Sequence, residues 1–311
     1  MALAGPLSTR RRIALVGLET VERGQPVVPS TPLTCYEAKM DPKAAYSERK
    51  PTGPSAGNAP GVLGAMIGTF TCRADLRGSG TSGLDAGLNV LLQCCGFAVS
   101  GNVYTPESVA ASQKTCTIYL YEDGILKVLS GCAGTFTLDG EAGQVGVINF
   151  DMSGVWTDVT YDGLPQTSPN ATLAPRFVSA AMAIDVTYSP FVGRFSLNMG
   201  NNVSPREDVN SPGGVLHYVV ADRSPVISLD MEAAVSPAHD PFALWLAGTP
   251  AAFTCRFGAE TGNAVAINAP AIQYREIAEG DRGGKLVSNV QAVCCYDEGD
   301  DDVEIDATVG T

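Results

Sequence analysis

The sequence predicts a mainly β protein made of antiparallel strands. Short runs alternate between apolar and polar residues at 69–76, 115–121 and 226–232, a period that turns one strand face to a core and the other to solvent. Glycine and proline supply 54 (34 + 20) of the 311 residues and separate these runs, as turns do in chains with many strands. Only two segments have helical spacing, which argues against a helical bundle.

The alternating runs predict which side chains are buried. One expected core face comprises Phe70, Cys72, Ala74 and Leu76, and a second comprises Ile227, Leu229 and Met231. The polar faces of the same runs carry Asp75, Asp230 and Glu232. Between Tyr121 and Ile125, the Asp123-Gly124 dipeptide predicts a tight hairpin turn.

Two segments are predicted to be helices. In residues 84–95 apolar side chains recur at intervals of three and four, with Ser82 as a possible N-cap and Gly96 as the stop. Residues 241–247 follow Asp240, a preferred N-cap residue, and begin with a proline, which suits the first helical turn. Gly248 is expected to end this helix.

The charge of the chain argues against a protein that grips nucleic acid by neutralising phosphates. Acidic residues outnumber basic ones 33 to 20, giving a net charge of −13. Seven of the acids lie within residues 297–306, so the rest of the chain carries −13 + 7 = −6. A run of this kind is typical of a solvated, poorly ordered tail, which is the expectation here. A calcium loop is disfavoured because the acids lack its alternating ligand spacing.

The nine cysteines predict free thiols in a reducing compartment. Their number is odd, there is no CxxC motif, and His217 and His239 are the only histidines, so no zinc spacing can be assembled. We therefore expect neither a metal nor a cofactor. No run of 18 apolar residues and no signal-peptide core occurs, so we expect synthesis and folding in the cytoplasm without a membrane segment.

The motifs that carry chemistry favour structural roles. Residues 78–83 fit G-x-G-x-x-G between a strand and a helix, but the preceding strand alternates and a hairpin follows, unlike a dinucleotide-binding unit. We interpret this motif as a flexible turn. His239 beside Asp240 is interpreted as a helix-start turn, and His217 as a partly buried strand residue. No nucleophile motif is present, so the sequence predicts a protein that is not an enzyme.

The order of elements suggests an internal duplication. Each half has a segment rich in Pro and Gly or Asn (51–61 and 199–214), then a strand, a helix and paired strands. With a seam near residues 165–175, we predict a first β unit at residues 1–165, a second at 166–296 and an acidic tail at 297–311. Chance similarity between two β-rich halves is the alternative.

Several colinear segments resemble the tail tube proteins of long-tailed bacteriophages. The segment GAMIGTFTCRADLRGSG (residues 64–80) is similar to their IGTF…ELRGSG segment, and TIYLYEDG (117–124) to TIYLYLDG. Further similar segments follow in the same order, at 84–97, 104–106, 129–136, 150–154, 221–225 and 258–263. The resemblance covers residues 13 to 296. It departs at Cys132, where relatives have an arginine.

The resemblance implies a structural virion protein that polymerises into the tail tube, a conduit for DNA ejection. Its implied fold is a duplicated β-sandwich or barrel unit, each with one flanking helix, closing into rings that stack. Homotrimeric pseudo-sixfold rings are expected, with homohexamers as the alternative. Implied partners are further copies of the chain and the tape-measure, distal tail and tail-terminator proteins. DNA passes without specific binding. A soluble β-sandwich adhesin or carbohydrate-binding module is the alternative function.

Two sets of residues are candidates for function in such a tube. Segments 40–61 and 199–214 are expected to be equivalent long loops that reach the next ring. Their candidate contact residues are Asp41, Pro42, Arg49, Lys50, Pro51, Pro54, Asn201, Arg206, Glu207 and Asp208. Candidates for the lumen wall, where like charge keeps DNA from binding, are Asp75, Asp230 and Glu232.

Overall fold

The computed structural model describes residues 7–54, 57–185, 187–233 and 239–308. The strands of the first half are β1 (Arg12–Leu18), β2 (Thr31–Leu33), β3 (Tyr36–Arg49), β4 (Ala59–Asp75), β5 (Phe97–Ser100), β6 (Val103–Pro106), β7 (Cys116–Glu122), β8 (Ile125–Glu141) and β9 (Val147–Thr160). Those of the second half are β10 (Ala183–Ile184), β11 (Val192–Asn198), β12 (Asn202–Glu207), β13 (Val215–Asp222), β14 (Val226–Glu232), β15 (Ala251–Phe257), β16 (Val265–Asp281), β17 (Leu286–Cys295) and β18 (Glu304–Asp306). Two short helices, α1 (Ala86–Cys94) and α2 (Pro241–Ala247), complete the described part of the chain.

Antiparallel pairing links most of these strands into one sheet. Within the described residues this sheet has 16 strands, and β12 and β13 form a separate two-stranded ribbon. The β8 strand pairs with β7 over its first half and with β11 over its last five residues, while β9 follows its other edge. The β16 strand similarly pairs first with β15 and then with β17. The mainly β prediction is therefore confirmed.

The strands fall into two series with the same order of neighbours. In the first half β1, β7, β8, β9, β4 and β3 are successive neighbours. In the second half β10, β15, β16, β17, β14 and β11 are successive neighbours. Every pairing is antiparallel, and β8 joins the two series by pairing with β11.

The predicted strand faces are correct for residues 69–76 and 226–232. They are wrong for residues 115–121, where Thr115 and Thr117 of the expected wet face are buried as well, because their hydroxyls donate to the buried Glu19 carboxylate. Phe70, Ala74 and Leu76 are buried, as are Ile227 and Leu229. They belong to one continuous core cluster that extends through both series. The polar neighbours of these residues along each strand are partly or fully exposed. Alternation thus separates an apolar core face from a wet face across both halves of the sheet.

The N-cap of helix α1 lies three residues later than the sequence suggested. Its N-cap is Asp85, whose carboxylate accepts from the Gly87 N–H, and not Ser82. The Arg77 guanidinium, largely buried, forms an ion pair with Asp85 at 3.0 Å. Asn170 donates to both Asp85 and the Gly78 carbonyl at 3.0 Å. A charged cap suits this position because Asp85 also has to neutralise a buried arginine.

Helix α2 agrees with its prediction at both ends. Asp240 is the N-cap, Pro241 opens the helix, and Gly248 ends it in the left-handed conformation at φ 63°, where a residue without a Cβ is favoured. Neither described helix is long and apolar enough to cross a membrane.

The two segments expected to be long loops are β-hairpins. Residues 40–49 lie on β3, which pairs along its length with β4. Residues 202–207 form β12, which pairs with β13. The prediction of loops was wrong because Pro and Gly were taken as breaks, whereas Pro42 lies on an edge strand, a position in a sheet that tolerates proline.

The acidic segment at residues 297–308 is ordered, and the expectation of a solvated tail was wrong. Its strand β18 pairs with β16 on one side and β6 on the other. Arg223 donates to both carboxylate oxygens of the buried Asp302 at 3.0 Å and to Asp300 at 2.8 Å. A largely buried arginine supplies the counter-charge that composition alone did not reveal.

Removing this arginine should release the acidic segment. The change Arg223→Ala leaves Asp302 buried without its partner, so we expect unfolding free energy to fall by about 3 kcal/mol. Hydrogen exchange at residues 304–306 should accelerate. An exposed arginine provides the control, and Arg49→Ala should change neither measurement. Unchanged stability and exchange in Arg223→Ala would contradict the anchoring role.

The same anchor predicts a pH dependence. Partial burial tends to raise the pKa of Asp300, but hydrogen bonds from Ser108 and Arg223 outweigh it and hold that pKa below the usual 3.8. A lowered folded pKa stabilises the fold above 3.8, and this contribution is lost as pH falls through the folded value. We expect this component to be smaller in the acid-unfolding curve of Arg223→Ala, where only the Ser108 hydrogen bonds still lower the pKa of Asp300.

Candidate functional site: the polar groove of the sheet

A broad, open groove of about 940 Å³ runs across the wet face of the sheet. It extends from Glu37 on β3 to Glu276 and Ala278 on β16, and crosses every strand between them in the order β4, β9, β8, β11, β14 and β17. Both strand series therefore contribute to one surface. The groove is therefore a candidate functional surface that both halves of the chain share.

Strand register explains why polar side chains meet in the groove. On β8, Asp139 lies opposite Ser196 of β11, and Thr137 lies opposite Asn149 of β9. Directly opposed residues in antiparallel strands point to the same face of a sheet. The alternating sequence TFTLDGE at residues 135–141 carries this pattern, with Phe136 and Leu138 buried behind it.

The groove is acidic. Its described lining contains six carboxylates and two guanidinium groups, which gives a formal charge of −6 + 2 = −4. The acids are Glu37, Asp75, Asp139, Glu141, Asp230 and Glu276. Since these charges face open solvent within one concave surface, their fields add and repel a polyanion.

The three lumen candidates lie on this face. Asp75 and Asp230 line the groove, and Glu232 follows Asp230 on the same face of β14. The Tyr36 hydroxyl donates to Asp75 at 2.8 Å, which together with partial burial raises the pKa of Tyr36. Arg282 bridges Asp230 and Glu232, so part of the negative charge is compensated.

The predicted contact residues are distributed over the two hairpins. Asp41, Pro42 and Arg49 lie on β3, and Lys50, Pro51 and Pro54 follow in its turn region. Asn201 differs from the others because its amide donates to the Cys95 and Gly134 carbonyls, so it has an internal structural role. Exposed members on the second hairpin are Arg206 and Glu207, while Asp208 accepts from Asn210 in its turn.

The β3–β4 hairpin also exposes apolar side chains that the sequence analysis did not single out. Tyr46, Leu63 and Met66 are 60%, 62% and 46% exposed. Several exposed apolar side chains on one hairpin form a surface that is suited to contact with another molecule. Asp139, Glu141 and Glu276 in the groove were missed as well, although the alternation at residues 135–141 is a readable signal.

The two histidines and the glycine-rich turn have structural partners or a buried setting. His239 stacks on Tyr188 and bonds to the Tyr274 hydroxyl at 3.0 Å, while Asp240 caps α2. His217 is buried in β13, and desolvation, followed by the charges of Arg23 and Arg206, lowers its pKa to about 4. A Cβ at Gly78 would lie 2.0 Å from the Gly262 carbonyl oxygen, so the chain itself fills the glycine-rich turn.

Residues 16–309 match the family model described as phage tail tube protein. The chain belongs to the phage tail tube protein family. This family is one of structural tail proteins of the virion and not a class of enzymes. Comparison with curated proteins gave no match. The family resemblance inferred from the sequence segments is thereby confirmed, and it favours the tube hypothesis over an adhesin or carbohydrate-binding module.

The ion pairs on the groove face predict a measurable titration shift. Hydrogen bonds from Arg282, then Lys285, hold the pKa of Glu232 below its usual 4.5. In Arg282→Gln we expect the pKa of Glu232 to rise towards 4.5, because only the Lys285 contact at 3.2 Å remains. NMR titration of the side-chain carboxylate measures this change.

The matched control is Arg194→Gln, which removes a groove arginine paired with Glu141 at 3.5 Å. It should leave the titration of Glu232 unchanged. If Arg282→Gln also left it unchanged, the bridge between Asp230 and Glu232 would not exist in solution.

Proposed function

We propose that this tail tube protein polymerises as stacked rings into a hollow tube whose lumen is lined by the acidic groove. The supporting observation is the continuous wet face of eight neighbouring strands, from β3 to β16. The two outer strands of this face, β3 and β16, each have an unpaired edge. Several chains could pair these edges to close a barrel, which removes exposed strand edges. The tube would serve as the conduit for DNA ejection.

The chain is proposed to be a duplication, with units at residues 1–165 and 166–296 and the segment 297–311 added to the second unit. The equal order of neighbours in the two strand series supports this division. Each unit contributes four strands to the groove face, namely β3, β4, β9 and β8 in the first and β11, β14, β17 and β16 in the second. Each chain then acts as two subunits of a pseudo-sixfold ring.

Strand counting favours three chains per ring over six. Three chains supply 3 × 8 = 24 strands. At about 4.8 Å between strands and a tilt of about 40°, their barrel has a backbone diameter of about 48 Å. The two grooves of a DNA duplex are about 8.5 and 7.5 Å deep, so this barrel admits the duplex together with a lining of side chains. Six chains would give about 96 Å, several times the width of the duplex.

The acidic wall would let DNA pass without holding it. At physiological salt, charge repulsion acts over about 8 Å, which is comparable to the clearance in a 24-stranded barrel. Asp75, Asp139 and Asp230 lie on three different strands of the groove face, so the repulsion is spread around the wall. We assign these three residues to the lumen.

The two hairpins are proposed to join successive rings. The β3–β4 hairpin presents exposed apolar side chains together with Arg49 and Lys50. The β12–β13 ribbon lies nearby, and its Val215 and Tyr218 form a small cluster with Ala133 that Ala65 and Ile67 of β4 flank. A single composite surface from both hairpins would therefore face the next ring. Assembly in the host cytoplasm would proceed with the tape-measure, distal tail and tail-terminator proteins.

Electron microscopy of concentrated wild-type protein tests this function. We expect hollow tubes or stacked rings with threefold symmetry in class averages, and an apparent sixfold at low resolution because the units are alike. True sixfold symmetry with six chains per ring would contradict the trimer. A strict monomer at every concentration would contradict tube formation.

Shortening the first hairpin should block stacking without unfolding the chain. Deleting residues 51–57 shortens the connection between β3 and β4, so we expect no tubes but unchanged far-UV circular dichroism and melting temperature. A variant with Gly and Ser at the same seven positions keeps the reach of the hairpin and its exposed strand residues, and should still form tubes. Normal tubes from the deletion variant would refute the role of the hairpin.

A further inference from the structure

Two edges of the groove face are left without a strand partner among the described residues. The β16 strand pairs with β17 over residues 276–281, and its opposite edge is free there. The β3 strand pairs with β4 and likewise has a free opposite edge. These are the first and last strands of the eight-stranded face. Closing a ring requires that the free edges of β3 and β16 from neighbouring chains pair in one defined register.

The pairing of β8 with β11 within one chain serves as a template for the contact between chains. Residues 137–141 of β8 pair with residues 194–198 of β11, and Ser196 lies opposite Asp139. In the matching strand series, β8 corresponds to β16 and β11 corresponds to β3. The β8–β11 junction within one chain is therefore the equivalent of a β16–β3 junction between two chains.

Paired core residues fix this correspondence. In the first series Ile148 lies opposite Leu138 on one side and Ala74 on the other. In the second series Val290 lies opposite Ile277 and Leu229. Leu138 thus corresponds to Ile277, and Ala74 corresponds to Leu229.

The helix caps provide an independent check. The N-cap Asp85 follows Ala74 at the same separation along the chain as the N-cap Asp240 follows Leu229. A shift of the correspondence to the next positions on the same faces would lose this agreement. The same correspondence places Asp75 and Asp230 at equivalent positions.

The edge strands then follow from their neighbours. Tyr36 lies opposite Arg73, and Ser196 lies opposite Ser228, so Tyr36 corresponds to Ser196. Lys39 and Asn198 correspond in the same way through Thr71 and Val226. β3 has one residue more in this stretch, since the register shifts between Tyr36 and Lys39.

Resting on the proposed ring, we propose that β3 of a second copy adds to the free edge of β16 in the register of the β8–β11 junction. Lys39 of one chain then lies opposite Glu276 of the next, and Tyr36 lies opposite Ala278. The model for the first pair is Asn198 opposite Thr137, and for the second Ser196 opposite Asp139. At the junction between chains an amide–hydroxyl pair is replaced by opposite charges, which add specificity to a contact that must not form between wrong edges.

Both edges are blunted in the single chain. Glu37 and Ala38 are skipped in the register with β4, and the Ala38 carbonyl accepts from Arg12 at 2.7 Å. Arg275 is skipped in the register with β17, and its carbonyl accepts from the Trp245 indole at 3.1 Å. Side chains thus satisfy backbone acceptors near the free edges, which limits indiscriminate strand pairing. Ordered pairing would start at residues 276–280, beyond Arg275.

A designed disulfide tests the register. In tubes of the double variant Lys39→Cys/Glu276→Cys, mild oxidation should link neighbouring chains, because opposed residues bring their Cα atoms within disulfide reach. A non-reducing gel should show covalent dimers and trimers and no larger species. The single variants report the background from native cysteines, most of which are buried.

The matched control moves the second cysteine one strand away. Gln291 lies directly opposite Glu276 on β17, so Lys39→Cys/Gln291→Cys should give no cross-link in intact tubes. Tubes that cross-link through Gln291→Cys, or through neither pair, would overturn the register and leave tube formation standing. Absence of tubes from the wild-type chain would instead refute the proposed function.

Charge-reversal variants test the proposed register if the cysteine variants fail to assemble. Lys39→Glu and Glu276→Lys should each raise the critical concentration for tube formation about tenfold, because each places like charges opposite one another at every junction. The combination Lys39→Glu/Glu276→Lys should restore most of the lost assembly, the remainder reflecting the Lys39–Asp41 ion pair that is lost within the chain. Failure of the combination to restore it, with melting temperatures unchanged, would overturn the proposed pairing.

Discussion

The backbone ladder between β8 and β11 is the interaction on which the rest of the structure depends. It joins two strand series into one sheet and keeps their wet faces in register, from Arg194 opposite Glu141 to Asn198 opposite Thr137. Because side chains alternate along a strand, a shift of one residue at this ladder would turn the polar groove of one series towards the core. The acidic groove therefore exists as a single surface only because this junction has one register.

A few polar contacts, of which the Arg77–Asp85 pair is buried, determine which segments meet. Arg77 and Asp85 tie the start of α1 to the connecting segment through Asn170. Asn263 accepts from the Gly78 N–H and donates to the Leu173 carbonyl, so it holds that segment against the second series. Removing one partner from such a group leaves another uncompensated, which gives specificity beyond that of apolar packing. The glycine-containing turns at residues 77–80 and 261–263 thus contribute to the architecture.

Local features could be predicted from the sequence because they depend on neighbouring residues. Alternation identified the buried faces of β4 and β14, and the Asp240 and Gly248 signals located both ends of α2. The N-cap of α1 was missed because the choice of Asp85 depends on its ion pair with Arg77, which lies outside the helix. The order of residues 297–308 was missed because Arg223, far away in the chain, pairs with Asp302.

The candidate site likewise has features that the sequence could predict and features that it could not. The wet-face positions of Asp75, Asp230 and Glu232 followed from local alternation. That these residues line one groove could be known only from the order in which eight strands pair. Neighbouring strands in that order, such as β8 and β11, are separated in the chain by β9, β10 and their connections. The periodicity of a sequence does not indicate which distant strands pair. Glu276 and Asp139 could therefore not be assigned to the same surface from the sequence.

The position of β18 has a consequence for biosynthesis. This strand fills the space between β6 and β16, yet it is translated after both of them, and most of the chain separates it from β6. A nascent chain therefore carries an unfilled slot between its two halves until residues 304–306 have left the ribosome. Such long-range closure is slow and comes late in folding. Synthesis itself would thus delay the appearance of a subunit that is able to join a growing tube.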